Sequence, residues 1–292
     1  MLIEKKIRNY AILVDRFLNN YFNKHLKSQL AQIMKFSTLK SGKKIRSAII
    51  FALGNIYKVE KKKLIYLSAA VECMHSYSLV HDDLPCMDND LIRRGKPATH
   101  VKFGEANAIL AGNSLLTLAF QIIADKVLDI SETQKSILVN KLAKCSGSEG
   151  IAGGQYLDLK YENTKVKMSN IIEMEIKKTG KLFNFCCLSV GVLKKKKNQD
   201  LKLLEQLGDD IGLLFQIADD RLDILGKSSK TGKAIKKDKK KGKSNIVVNL
   251  GIEKSNQYVL LLENKILKKI KKIGGNNKDL INLVKFIINR NF

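Results

Sequence analysis

Residues 75–100 read HSYSLVHDDLPCMDNDLIRRGKPATH, and the fold turns on how this stretch is taken. Its first half continues a helical pattern that runs from about Lys63 to Asp83. Pro85 lacks an N–H and would clash with the preceding turn, so the spacing predicts a helix that stops at Asp82 or Asp83. Asp82, Asp83 and Asp88 then form a D-D-x-x-x-x-D cluster at a helix C-terminus, where the negative end of the dipole adds to the attraction for a cation. Arg93 and Arg94 follow at once. On an ordinary surface such carboxylates and guanidiniums would merely neutralise one another.

A second stretch, GLLFQIADDRLDILG at 212–226, argues for more. At about 100° per residue, Gln216, Asp219, Asp220 and Asp223 fall on one narrow face of a helix. Three carboxylates on one stripe of an otherwise apolar helix repel one another and need cations facing them. Hard oxygen ligands without a His or Cys cluster point to Mg²⁺, which takes one or two carboxylates and completes its shell with water and substrate phosphates. The sequence therefore asks for a phosphorylated ligand.

The rest of the chain is helical in pattern. Its 292 residues are 45% hydrophobic, enough for a sizeable core, and only Pro85 and Pro97 break the helical periods. No linker divides it, so an all-α, single domain over 1–292 is expected. The formal charge of +25 comes largely from lysine runs such as 194–197, 236–243 and 268–272. Lys, Asn and Ile are all abundant, so a general compositional bias on solvated faces accounts for the excess, and no aromatic interleaving or zinc-finger spacing points to nucleic acid. Five cysteines without a C-x-x-C pair imply a reducing, cytoplasmic setting. The N-terminus does not read as a signal peptide, because charges interrupt its apolar stretch. Residues 106–124 carry no charge, but Asn107, Asn113, Ser114 and Gln121 make a central helix a better account than a membrane span.

Other stretches carry weaker signals. Gly42 precedes a helix with Lys43 and Arg46 near its start, and exposed backbone donors beside two cations suit a diphosphate. Ser131 and Gln134 form a capping box. The glycines of GSEGIAGGQYLDL, 147–159, signal a kink or a close helix contact, and TGKAIKKDKKKGKS, 231–244, reads as a solvated loop.

Taken together, GKKIR at 42–46, HDDLPCMDNDLIRRG, KFGEANAILAG, GGQYLDL, KTG at 178–180, FQIADDRLD and GKS at 242–244 resemble the short-chain trans-prenyl diphosphate synthases, bacterial farnesyl-forming members most closely. The resemblance covers nearly the whole chain. It implies a bundle of ten or more helices around a deep central cavity, a homodimer, and Mg²⁺ held by Asp82, Asp83, Asp88, Asp219, Asp220 and Asp223. It assigns isopentenyl diphosphate to Lys43, Arg46, His75 and Arg94. It assigns the allylic diphosphate to Arg93, Lys178 and Lys233, and places Thr179 near the developing cation. Gln216, within the second aspartate motif, joins Lys178 and Thr179 as a candidate catalytic group. Lys243 lies at a further lysine position of the family, in a loop that closes over diphosphate, and Arg290 falls near the mouth. Tyr77 and Ser78, five and four residues before Asp82, correspond to the cavity floor that limits product length.

The resemblance implies farnesyl diphosphate as product, with geranyl or geranylgeranyl diphosphate as the nearest alternative. An inactive basic subunit that regulates a partner or binds nucleic acid is the alternative of another class. Departures from the family pattern are Ser47 for Pro, Asn113 for Asp, and Asn245, Ile246 and Val247 for Thr-Tyr-Pro.

Overall fold

The computed structural model describes residues 2–40, 42–225 and 243–289. Lys233 and Arg290 lie outside them. The described chain is all-α apart from one short hairpin, and it forms two compact units, 1–139 and 140–292.

In the first unit, α1 (Leu2–His25) buries Ile7, Val14, Leu18, Tyr21 and Phe22, the stripe expected of an amphipathic helix. Tyr10 stacks on Phe51 with centroids 4.4 Å apart, which joins α1 to α3 (Ile45–Ile56). Between them, α2 (Gln29–Thr38) is capped by Ser28, whose Oγ accepts from the Ala31 N–H at 3.2 Å. Ser47 sits inside α3 and donates to Glu72 Oε1 at 2.6 Å, so the departure from Pro supplies the partner of a buried carboxylate.

Helix α4 (Lys61–Asp82) ends where Pro85 requires. The main chain then folds back on itself: the Asp88 N–H donates to the Asp82 carbonyl at 2.8 Å and the Asp90 N–H to that of Asp83 at 3.1 Å. A hairpin of β1 (Ile92–Arg93) and β2 (Lys96–Pro97) follows. Its two corner residues, Arg94 and Gly95, have φ of 54° and 73°, the positive pair that a tight two-residue turn needs.

Beyond α5 (Thr99–Phe103), helix α6 (Glu105–Ala124) packs along α4. It is long and apolar enough to cross a membrane by composition. Ala108, Ala111, Gly112, Leu115, Leu118, Ala119, Ile122 and Ile123 are buried, while Leu110, Asn113 and Thr117 on its other side are exposed. The sequence led us to expect a central helix; only one side of α6 meets that description within its unit.

The unit boundary falls within α7 (Glu132–Ser146), which opens on the predicted capping box: Ser131 N–H to Gln134 Oε1 at 3.1 Å, and Gln134 N–H to Ser131 Oγ at 3.2 Å. In the second unit, α8 (Ile151–Lys160) and α9 (Met168–Glu175) lead into a π-helical turn, Ile176–Gly180, and then α10 (Lys181–Leu193). Residues 182–192 of α10 are buried on every side, Cys186 and Cys187 among them, as a helix without a polar face demands. Helix α11 (Asn198–Leu225) packs against α10 and against α12 (Ile246–Ile273). Asn245 caps α12 by accepting from the Val248 N–H at 2.8 Å, the Ile246 N–H donates to Glu175 Oε1 at 3.0 Å, and Ile246 and Val247 are buried. The unusual Asn-Ile-Val thus starts a helix and anchors it. The last helix, α13 (Lys278–Ile288), buries Leu280, Leu283, Val284 and Ile287 along one stripe.

Candidate active site

The first unit gathers cations around one histidine. Arg46 on α3 places Nη1 3.3 Å from His75 Nε2, and Arg94 at the hairpin corner places Nη2 3.2 Å from the same atom. Guanidinium nitrogens only donate, so Nε2 accepts both and the imidazole is neutral. Burial, and then Arg46, Arg94, Lys44 and Arg93, hold its pKa well below the usual histidine range. Gly42, at φ 64°, makes this approach possible: a β-carbon there would lie 2.6 Å from Arg94 Cζ. Two guanidiniums on one neutral acceptor form a site for a multivalent anion. Lys43 stands just before α3, while its neighbour Lys44 turns inward, to the Thr38 carbonyl at 3.1 Å and Asp15 at 3.2 Å.

The three carboxylates of the first cluster do different work. Asp83 is 2% exposed and takes a forked contact from Arg93, with Nε 2.8 Å from Oδ1 and Nη2 on the same oxygen. Burial would lower the arginine's pKa, but Asp83 more than offsets it. Asp83 therefore grips Arg93, whereas Asp82 and Asp88 are partly exposed where α4 ends. Tyr77 and Ser78 lie within the last two turns of α4; the Ser78 hydroxyl returns to the His75 carbonyl at 3.0 Å.

In the second unit the site is built around the π turn, which presents Lys178 and Thr179. Glycine makes it possible: a β-carbon on Gly154 of α8 would come within 2.5 Å of Lys178 Cα, and one on Gly212 of α11 would overlap Gly180. The expected close helix contact in GSEGIAGGQYLDL is thus present. A π turn is rare and recurs at functional sites. Thr179 Oγ1 donates to Gln216 Oε1 at 2.8 Å, and Gln216 Nε2 to Asp220 Oδ1 at 2.8 Å. Asp220 is buried on α11, with Asp219 and Asp223 partly exposed beside it. Lys178 Nζ meets Asp158 Oδ2 at 2.6 Å, and Lys243 Nζ reaches the same oxygen at 3.3 Å.

Asp158 is the residue that sequence reasoning missed. It lies within the quoted GGQYLDL, and the signal was an acid on a glycine-rich helix face ahead of two lysines far along the chain. Burial would raise its pKa, but Lys178 and then Lys243 outweigh it and hold the carboxyl below its ordinary value. Gln155, one turn earlier, is buried, and neither of its amide atoms has a hydrogen-bond partner among the described residues.

A divalent cation fits the donor chemistry. Asp82 and Asp88 in one unit, and Asp219 and Asp223 in the other, are partly exposed oxygen donors. Among the described residues no three His, Cys, Asp or Glu side chains are already gathered to hold an ion. A hard ion that completes its shell with water and substrate oxygens suits such donors, and Mg²⁺ is that kind of ion.

Residues 27–284 match the family model for polyprenyl synthetases, and the chain belongs to that family. Among its relatives, the farnesyl diphosphate synthase of Escherichia coli K12 is 38% identical over 90% of this chain and 89% of its own. The farnesyl diphosphate synthase of Bacillus subtilis is 39% identical over 82% of both chains. A Helicobacter pylori geranyltransferase, solved in complex with magnesium and isoprenyl diphosphate, superposes with a TM-score of 0.84 at 27% identity, covering 99% of this chain and 97% of that one.

Proposed function

We propose that this protein is a farnesyl diphosphate synthase, joining dimethylallyl and then geranyl diphosphate head to tail with isopentenyl diphosphate. The observation that carries the reading is the cluster of Arg46 and Arg94 on neutral His75, which suits the diphosphate of isopentenyl diphosphate. Lys43, just before the start of α3, adds its charge for the same diphosphate. Lys178 and Lys243, gathered on Asp158, serve the allylic diphosphate together with Lys233 and with Arg93, which Asp83 holds in place. Asp82 and Asp88 in the first unit, and Asp219 and Asp223 in the second, would hold Mg²⁺, while buried Asp220 orients Gln216 and through it Thr179.

Bound Mg²⁺ would neutralise charge building on the leaving diphosphate. Arg93 and Lys178 add to that stabilisation as the allylic carbon–oxygen bond breaks. Arg46, His75 and Arg94 orient the second substrate so that its double bond attacks the allylic carbon, which makes an encounter effectively unimolecular. A carbon–carbon bond forms, a proton leaves the adjacent carbon, and the departed diphosphate takes it. Thr179 Oγ faces the developing cation.

The family match runs continuously across both units, which supports one functional domain over 1–292. All five cysteines are free, in keeping with a cytoplasmic setting. The exposed, uncharged side of α6, with Leu110, Asn113 and Thr117, suits a homodimer.

The test is incubation with isopentenyl and dimethylallyl diphosphates, with Mg²⁺ or with chelator, and product length read by mass spectrometry. A fifteen-carbon diphosphate that chelation abolishes is the expected result; no product from folded protein would overturn the reading. Gly42→Ala tests the anion cluster separately. Its β-carbon would displace Arg94, so KM for isopentenyl diphosphate is expected to rise roughly tenfold, a loss of about 1.4 kcal/mol, with the KM for geranyl diphosphate little changed.

A further inference from the structure

Tyr77 and His81 lie one turn apart on α4, and their rings meet edge to face, with centroids 5.1 Å apart at 79°. Helix α6 fixes the second ring. His81 Nε2 lies 3.2 Å from the Ile109 carbonyl, which can only accept, so Nε2 carries the proton and donates it. The same ring rests on the bare α-carbon of Gly112, where a β-carbon would overlap Nε2 and Cδ2. A donor bond, a close backbone contact and an aromatic neighbour leave the imidazole a single seat. The chemistry proposed above gives His81 no task.

We infer that His81 and Gly112 are positioning residues for product length: α6 seats the His81 ring, and that ring holds Tyr77 in the pose that closes the floor. The inference rests on the reading of Tyr77 as the floor. It makes two predictions of opposite sign. Removing the imidazole empties space between α4 and α6, and Tyr77 swings into it, away from the growing chain. Adding a methyl at Gly112 drives the imidazole toward Tyr77 and pushes the floor inward.

Wild type, Tyr77→Ala, His81→Ala, the double variant and Gly112→Ala would be compared with isopentenyl and dimethylallyl diphosphates at matched conversion, with products read by mass spectrometry. His81→Ala should raise the ratio of twenty- to fifteen-carbon product roughly three- to tenfold, the typical worth of an aromatic edge contact. The double variant should lengthen product no further than Tyr77→Ala alone. Gly112→Ala should shift product toward ten carbons, and it keeps the inference open to refutation should His81→Ala fail to fold. A general loss of packing would lower rates without moving product length in opposite directions.

If Tyr77→Ala changes the products while His81→Ala and Gly112→Ala leave them alone, the positioning role is overturned and the floor stands. If Tyr77→Ala leaves the products unchanged, the floor falls and the positioning role with it. No turnover by the wild type would overturn the proposed function itself.

Discussion

Asp82→Asn is expected to lower kcat on the order of 10³-fold, about 4 kcal/mol of transition-state stabilisation, with the fold retained. Asp82 is the last residue of α4, partly exposed, and its carbonyl accepts from the Asp88 N–H, which brings the two ends of the first motif together. An amide keeps the shape and one oxygen but removes the charge that a hard cation needs. The loss should appear as a higher Mg²⁺ concentration for half-maximal rate as well as a lower ceiling. Asp219→Asn should behave alike. Circular dichroism and a thermal melt would establish folding, and a near-normal rate in either variant would remove that residue from the metal set. Asp83→Asn should differ in kind: with its forked contact to Arg93 weakened, the effect should fall on KM for the allylic diphosphate and on stability, with little change in Mg²⁺ dependence.

That contrast marks how far the sequence could be read. Motif order, the stop of α4 at Asp82, the capping box at Ser131 and the stripe on α11 were legible because each depends on local rules: a missing proline donor, a cap spacing, a helical period. Which of the adjacent aspartates faces a cation and which turns onto Arg93 depends on how the chain refolds after Pro85, and no local rule fixes that. The π turn at 176–180 leaves no mark of its own in the helical pattern of the sequence. It exists because Gly154 and Gly212 let two other helices press on it, and a glycine's neighbour in space is not written beside it in sequence. Lys44 stands beside Lys43 in sequence, yet a left-handed backbone at φ 51° turns it inward to Asp15.

Asp158 shows the same limit most sharply, and it carries the second large expected effect. Asp158→Asn should destabilise the protein by about 3 kcal/mol at pH 7, the low end for removing one partner of a buried ion pair. The low end applies because the Lys178 and Lys243 side chains keep 23% and 12% of their exposure. In a chain of this size that corresponds to a fall in Tm of about 5 °C. Turnover should fall as well, because Lys178 loses the anchor that holds it on the π turn. The pH dependence separates charge from packing. The native carboxyl has a depressed pKa, so its contribution is present above the ordinary carboxylate pKa of about 4 and is lost as pH falls through the native value. Wild type and Asp158→Asn should therefore converge in stability in acid and diverge on the way to neutrality. A gap that stayed constant with pH would assign the loss to shape, and the two lysines would then owe their placement to the helices rather than to Asp158.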